Sequence, residues 1–187
     1  MKAPQRLETG RLVLSAPAIA DAREIFDRYA SDPEVTRYLG WPQHRAVEDT
    51  EAFVRASERE WQERPAGAYM IRAREDARLL GGTGLAFDAG NTTEAVTGYV
   101  LARDAWGRGY ATEALTAMVA LAERIDVACL YAFCHPDHHA SAHVLEKCGF
   151  TRDPTWTMTG EFPNLAPGVR QKTLRYHLRL HASRTSV

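Results

Sequence analysis

A glycine-bracketed turn between a predicted strand and a predicted helix constrains this chain more than any other stretch. The sequence from Gly98 to Leu115 reads Gly-Tyr-Val-Leu-Ala-Arg-Asp-Ala-Trp-Gly-Arg-Gly-Tyr-Ala-Thr-Glu-Ala-Leu. It predicts a strand, then a turn containing Gly107 and Gly109, then a helix from about Tyr110. The first amides of a helix lack internal partners and carry partial positive charge, and glycine lets a ligand approach them closely. The turn therefore predicts a site for a phosphate-bearing ligand.

The turn alone does not identify that ligand. A dinucleotide fingerprint needs a third glycine at a fixed spacing, and a phosphate-loop motif ends in Gly-Lys-Ser/Thr; neither pattern is present here. Glycine also occurs at helix starts for purely local reasons, so a structural interpretation stays open.

Composition excludes several classes of protein. The chain has 187 residues and a formal net charge of -1, so no general positive field points to nucleic acid or a membrane surface. No apolar run is long enough to span a bilayer, and the first eight residues lack the apolar core of a signal peptide. Three cysteines do not suggest a disulfide framework in a chain of this size. We expect one cytoplasmic domain over residues 1–187, with a core from about 8 to 180.

Hydrophobic periodicity and capping signals predict the other elements. Strands are expected at 11–15, 68–73, 79–87, 94–102, 127–134, 155–159 and 174–180. Helices are expected at 20–30, after a start signal at Asp32-Pro33-Glu34, at 46–63, at about 110–125, and from a cap at Asp137 to Cys148, with Gly149 as a left-handed C-terminal cap. This order predicts a single α/β (α+β) domain around a mixed sheet.

Three motifs in order make the chain similar to a known family. Trp106-Gly-Arg-Gly-Tyr-Ala-Thr-Glu-Ala is followed by His135-Pro-Asp-His-His-Ala-Ser and then by Val144-Leu-Glu-Lys-Cys-Gly-Phe. Together they resemble the GNAT acetyltransferase superfamily, and more narrowly its RimJ/RimL-type branch, which contains ribosomal-protein N-terminal-alanine acetyltransferases. Arg11-Leu-Val-Leu and Asp32-Pro-Glu-Val-Thr-Arg-Tyr-Leu also fit that branch.

The resemblance implies a mostly antiparallel central sheet with helices on both faces, and two strands that splay apart at the cofactor site. It implies transfer of an acetyl group from acetyl-CoA to an amine. The pyrophosphate of acetyl-CoA would lie on the amides of Gly107, Arg108, Gly109, Tyr110, Ala111 and Thr112. The pantetheine arm would hydrogen-bond the strand edge at Tyr99, Val100 and Leu101, as an added strand would.

Two positions depart from the family pattern. Trp106 stands where the broader superfamily has Gln or Arg, a substitution that is usual in the RimJ/RimL-like branch. His138 stands where that branch has an Asn that contacts pantetheine. Because imidazole offers one donor and one acceptor, His138 is a candidate cofactor contact.

Ser141 is the candidate catalytic residue. Many family members protonate the leaving thiolate with a Tyr at the position of Leu145. Ser141 lies one helical turn earlier on the same face, so its hydroxyl is a candidate donor to the CoA sulfur; a Ser that merely satisfies an exposed helix face is the alternative. Glu94 and Glu113 are candidates for the general base, and neither is assigned. An amine that reaches the site already neutral would need no general base.

The other reactive side chains predict no further chemistry. The histidines at 135, 138, 139 and 143 show no ligand pair at zinc-finger spacing, so we expect no metal. The three cysteines are expected to be packing residues.

The acceptor pocket is expected between the loop at 39–44, the strand at Tyr69 and the loop at 154–168. Trp41, Trp156 and Phe162 are its other candidate lining residues. Since these segments carry no strong acidic cluster, a peptide N-terminus or a small amine fits better than a polycation.

Three functions stay open. The leading hypothesis is an N-acetyltransferase that works by direct attack of an amine on acetyl-CoA in a ternary complex. The alternative is a catalytically silent acyl-CoA-binding or sensing protein, because Leu145 replaces the usual acid. A nucleotide-binding protein using the same turn is the third, and a homodimer is compatible with all of them.

Overall fold

The computed structural model describes residues 2–180, so residues 1 and 181–187 of the predicted domain lie outside it. Its strands are β1 Arg6–Glu8, β2 Leu12–Ser15, β3 Ala68–Ala73, β4 Leu79–Ala86, β5 Glu94–Leu101, β6 Cys129–Cys134, β7 Thr151–Arg152, β8 Thr159–Glu161, β9 Arg170–Lys172 and β10 Leu174–Arg179. Its helices are α1 Ala22–Ile25, α2 Pro33–Thr36, α3 Val47–Glu63, α4 Tyr110–Arg124 and α5 His139–Lys147. Within the described residues, no helix combines the length and apolarity that a membrane crossing requires.

Eight strands form the main sheet in the order β1-β2-β3-β4-β5-β6-β10-β7, while β8 and β9 form a separate hairpin. The pair β5–β6 is parallel, and the other neighbours in the described sheet are antiparallel. The mixed, mostly antiparallel sheet expected from the family resemblance is therefore confirmed.

Strands β5 and β6 pair only at their first residues. Their register starts at Glu94↔Cys129 and ends at Val96↔Tyr131. Beyond that point β5 continues alongside β4 as far as Leu101, and β6 continues alongside β10 to its last residue. The two strands diverge because each follows its other neighbour, which confirms the predicted splay.

Helices cover both faces of the sheet. Successive strand residues point to opposite faces, and β3 shows the consequence. Tyr69 and Ile71 belong to the core cluster that contains Leu115 and Met118 of α4, whereas Met70 belongs to the cluster formed with α1 and α3.

Two local predictions need correction, and the short strands β1, β7 and β9 are not predicted from the sequence. The helix predicted at 20–30 is a 3₁₀ turn at Ile19–Asp21, then α1, then a π turn at Phe26–Ala30. The strand predicted at 155–159 lies at β8 instead, where it pairs with β9 rather than with the main sheet.

The start of α5 also differs from the prediction. Helix α5 begins at His139, and His138 holds the N-cap position without a side-chain hydrogen bond. The backbone N–H of Asp137 donates to Nδ1 of His135 (3.1 Å), so this residue closes a turn on the imidazole instead of capping the helix. The predicted end is correct, because Gly149 has φ 85° at the left-handed C-terminal position.

Candidate active site

The turn before α4 has the geometry of an anion site. Gly107 and Gly109 have φ 71° and 76°, left-handed values that glycine adopts without strain, and Gly109 directly precedes the helix. This conformation leaves the first amides of α4 at the protein surface without partners in the helix.

Two residues of the turn between β1 and β2, Thr9 and Arg11, fix the turn before α4. Arg11 donates from Nη1 to the carbonyl oxygen of Arg108 (2.9 Å), and its guanidinium lies 4.7 Å from the ring centre of Tyr110. The carboxylate of Glu113 accepts from Nε of Arg11 (2.7 Å), from the Arg11 amide (2.8 Å) and from Oγ1 of Thr9 (2.6 Å). Burial by itself would raise the pKa of Glu113, but these hydrogen bonds outweigh it and lower the pKa. The carboxylate of Glu113 is therefore committed to holding the turn.

A cavity of about 850 Å³ lies where β5 and β6 diverge. Residues 96–100 of β5 and 132–134 of β6 line it, and α5 with its N-cap residue contributes three further side chains, His138, Ser141 and Leu145. Of the residues predicted to contact the donor or act in catalysis, four line the cavity: Tyr99, Val100, His138 and Ser141. Leu101 and residues 107–112 are not part of its lining.

Trp106, from the turn motif, hydrogen-bonds to the last residue of β5. Leu101 is buried, and its carbonyl oxygen accepts a hydrogen bond from Nε1 of Trp106 (2.8 Å). The indole thereby covers one acceptor position of Leu101, and the part of β5 that faces the cavity ends at Val100.

Tyr99 contributes a side chain as well as a strand edge. Its hydroxyl lies 3.1 Å from Oγ and 3.2 Å from the carbonyl oxygen of Ser141. Burial raises the pKa of Tyr99 well above its ordinary value, so the phenol is protonated at neutral pH. The family resemblance assigns Tyr99 only a backbone role, and the sequence signal for its side-chain contact is the alternation of β5, which puts Tyr99 and Val100 on opposite faces.

His138 is held in place by ring stacking. Its imidazole stacks on Tyr38 at 4.8 Å between ring centres, and Tyr38 in turn stacks on His135 at 5.3 Å. Burial lowers the pKa of His138, and the neighbouring His135 and His139 lower it further. A neutral ring at the cavity wall offers one donor and one acceptor. Tyr38 belongs to the Asp32-Pro-Glu-Val-Thr-Arg-Tyr-Leu motif, but that motif alone does not indicate that its ring stacks on His138.

The two carboxylates considered as bases lie outside the cavity. Glu94 is at the paired end of β5 and β6, where it accepts hydrogen bonds from Tyr131 (3.1 Å) and Asn91 (3.3 Å). The carboxylate residues that do line the cavity are Glu60 on α3 and Glu161 on β8. Neither belongs to a recognisable motif, so sequence reasoning missed them.

The candidate acceptor residues Trp41, Tyr69, Trp156 and Phe162 all line the cavity. Tyr69 is buried and donates its hydroxyl to the carbonyl oxygen of Pro4 (2.6 Å), while Trp156 donates from Nε1 to Thr173 (2.9 Å).

No cluster of three or more His, Cys, Asp or Glu side chains that could hold a metal ion occurs in residues 2–180. The three cysteines are free. Cys134 lines the cavity but is buried, and burial raises the pKa of its thiol to about 11, which keeps it protonated at neutral pH.

Comparison with known proteins agrees with this geometry. The acetyltransferase (GNAT) domain family matches residues 11–151. The uncharacterised N-acetyltransferase YoaA of Bacillus subtilis is 28% identical over 148 residues, which is 79% of this chain and 83% of that protein. An acetyltransferase structure from Agrobacterium tumefaciens is 28% identical with a TM-score of 0.74, covering 96% of each chain.

A more distant structure has the same fold. RimL, a ribosomal L7/L12 alpha-N-protein acetyltransferase solved with coenzyme A, superimposes with a TM-score of 0.80 at 21% identity, covering 96% of this chain and 98% of that one. The family match spans most of the chain and includes the turn, the diverging strands and the start of α5. The chain therefore belongs to the GNAT acetyltransferase family, and a RimL enzyme is among its structural neighbours.

Proposed function

We propose that this protein is an N-acetyltransferase that moves an acetyl group from acetyl-CoA to a primary amine by direct attack in a ternary complex. The observation that carries the proposal is the divergence of β5 and β6 after Val96, which opens the cavity beside Ser141. Membership of the GNAT family supplies the donor, and RimL, which shares the fold, was solved with coenzyme A.

The donor would be held by two separate parts of the chain. The amides of residues 107–112 offer unpartnered N–H groups and the positive end of the α4 dipole to the pyrophosphate. The pantetheine arm would run along Tyr99 and Val100, with the neutral imidazole of His138 as a further hydrogen-bonding group. Leu101 would take a smaller part than expected, because Trp106 already occupies its carbonyl oxygen.

The same arrangement supports the chemistry. A backbone N–H of β5 near Val100 would polarise the thioester carbonyl as attack begins. As the C–N bond forms and the C–S bond breaks, the sulfur leaves as a thiolate that accepts a hydrogen bond from the hydroxyl of Ser141. Tyr99, 3.1 Å from that hydroxyl, would orient it.

We infer that Glu161 receives the proton of the attacking amine. Glu161 belongs to the cavity wall that also contains Trp156 and Phe162, on the acceptor side, whereas Glu113 is committed to Arg11 and Glu94 lies at the closed end of the strands. A carboxylate there can take a proton directly or through one water molecule.

The test is mass spectrometry of a panel of amines and N-terminal peptides after incubation with acetyl-CoA. Acetylated products that disappear without enzyme support the proposal. Ser141→Ala and Glu161→Gln should each lower kcat without abolishing acetyl-CoA binding. Stabilisation by CoA with no thioester cleavage on any amine would instead favour the silent sensor, and stabilisation by ATP or NAD alone would favour a nucleotide-binding protein.

A further inference from the structure

We propose that the acceptor is a small primary amine with an apolar, preferably aromatic, body and no negative charge. This inference rests on the proposed function, since it concerns the acceptor side of the same cavity. It narrows the choice between a peptide N-terminus and a small amine that the sequence left open.

The first argument is the exposed apolar surface inside the cavity. Phe53 of α3 and Phe133 of β6 are 41% and 43% exposed, and Val96 of β5 is 40% exposed, although all three line the cavity. Large apolar side chains left open to water in a concave site favour a ligand that covers them with apolar surface. Phe133 also lies 5.5 Å from Trp156 between ring centres, so aromatic rings extend this wall.

The second argument is the charge of the lining. In the described structure, the cavity is lined by Glu60 and Glu161 and by no Lys or Arg side chain. Burial lowers the pKa of His44, an effect that Asp49 only partly opposes, so its ring adds no positive charge at neutral pH. The site therefore attracts an ammonium group and disfavours an acceptor that carries a carboxylate or phosphate.

The third argument is that the two acceptor-side loops form one wall. Trp41 and Phe162 line the cavity from different loops, and Asn164 joins those loops. Its Nδ2 donates to the carbonyl oxygens of Thr36 (2.7 Å) and Trp41 (2.9 Å), and its Oδ1 accepts from the amide of Gln43 (2.7 Å). Since the loops are joined, a chain extending from the reacting amine cannot pass between them without breaking these bonds. This favours a small molecule over a long peptide.

One position in β5 allows the size of the acceptor space to be changed. A Cβ atom added at Gly98 would have no neighbour within 4 Å, whereas one at Gly82 would lie 3.3 Å from the hydroxyl of Tyr29. Gly98 lies in the strand between Val96 and Val100 and lines the cavity. A larger side chain there can occupy the cavity without disturbing the core, and β-branched residues suit strands.

The experiment compares kcat/KM for phenethylamine, ethylamine, phenylalanine and the peptide Phe-Ala-Ala amide. Phenethylamine should exceed each of the others by about tenfold or more, because it alone combines an aromatic body with small size and no negative charge. Gly98→Val and Phe133→Ala should each lower kcat/KM for phenethylamine by about tenfold and change that for ethylamine much less. Ile19→Ala is the matched control and should change neither, because Ile19 is as exposed as Phe133 (43%) but lies outside the cavity lining and outside the acceptor-side loops.

Failure of this inference and failure of the proposed function give different results. Preference for ethylamine, phenylalanine or the peptide, or equal effects of the variants on all amines, overturns the acceptor class while the enzyme activity stands. Binding of CoA with no acetylation of any amine overturns the proposed function itself. Thermal denaturation of each variant checks folding, and a Gly98→Val protein that fails to fold leaves Phe133→Ala to decide.

Discussion

Replacement of Tyr99 by phenylalanine is the most direct probe of the reaction chemistry. The phenol has one hydrogen but two oxygens of Ser141 within reach, the carbonyl oxygen at 3.2 Å and Oγ at 3.1 Å. If Tyr99 donates to Oγ, the hydrogen of Ser141 is free to point at the CoA sulfur. If it donates to the carbonyl, the hydrogen of Ser141 can point back at the phenol. Tyr99→Phe removes this control of orientation and keeps the ring.

The expected size of the effect follows from these bonds. Loss of a neutral hydrogen bond of this kind costs about 1 kcal/mol of folding free energy. Loss of an oriented donor to the thiolate should cost about 1–2 kcal/mol of transition-state stabilisation, which corresponds to a fall in kcat of about 5- to 30-fold. The KM for acetyl-CoA should change by less than about twofold, because the interaction strengthens only as the C–S bond breaks.

The assay is steady-state release of free CoA thiol with a saturating amine, in a double-mutant cycle with Ser141→Ala. If Tyr99 acts through Ser141, Tyr99→Phe should have little further effect in the Ser141→Ala background. Tyr176→Phe is a suitable control, since it removes another phenol hydrogen bond, to Glu146 at 3.1 Å, from a residue outside the cavity lining. An unchanged kcat in Tyr99→Phe, or independent effects of the two substitutions, would refute the reasoning.

Three further predictions concern the turn and the fold. Glu113→Gln weakens the hydrogen bond from Arg11 that fixes the turn, so it should raise the Kd for CoA several-fold while kcat at saturation stays close to wild type. Isothermal titration calorimetry measures this Kd, and an unchanged value would contradict the prediction. Gly81→Ala should destabilise the protein by about 1–3 kcal/mol or more in urea denaturation, because the added Cβ would lie 1.9 Å from the carbonyl oxygen of Val100; a stability equal to wild type would show that the strands can shift. The hydrogen bond from Arg103 lowers the pKa of Asp32 in the folded protein. The ionised carboxylate therefore stabilises the fold fully above its unfolded pKa of about 3.9, and this stabilisation is lost as the pH falls through the folded pKa. Asp32→Asn should flatten that part of the curve of stability against pH, and an unchanged curve would exclude this contribution.

Local signals in the sequence determined most of the architecture. The left-handed glycines of the turn, the cap at Asp32 and the alternation of β10 depend on residues close together in the chain, so the sequence alone predicts them. The start of α5 is an exception, because Asp137 closes a turn on the ring of His135 and the helix begins one residue later than a cap at Asp137 predicts. The family resemblance, rather than the chemistry of single residues, indicated the strand splay.

The arrangement of the site was decided by tertiary structure. Tyr99 and Ser141, whose hydroxyls are in contact, are 42 residues apart in the sequence, and Arg11 and Glu113 are 102 residues apart. Asn164 and its partners in the other acceptor-side loop are more than 120 residues apart. Such pairs form only when the sheet and its helices have packed, and no periodicity or spacing records them. For the same reason the turn proposed to hold acetyl-CoA is visible in the sequence, whereas the proposal for the class of acceptor depends on the folded cavity, with its exposed aromatic rings and its carboxylates.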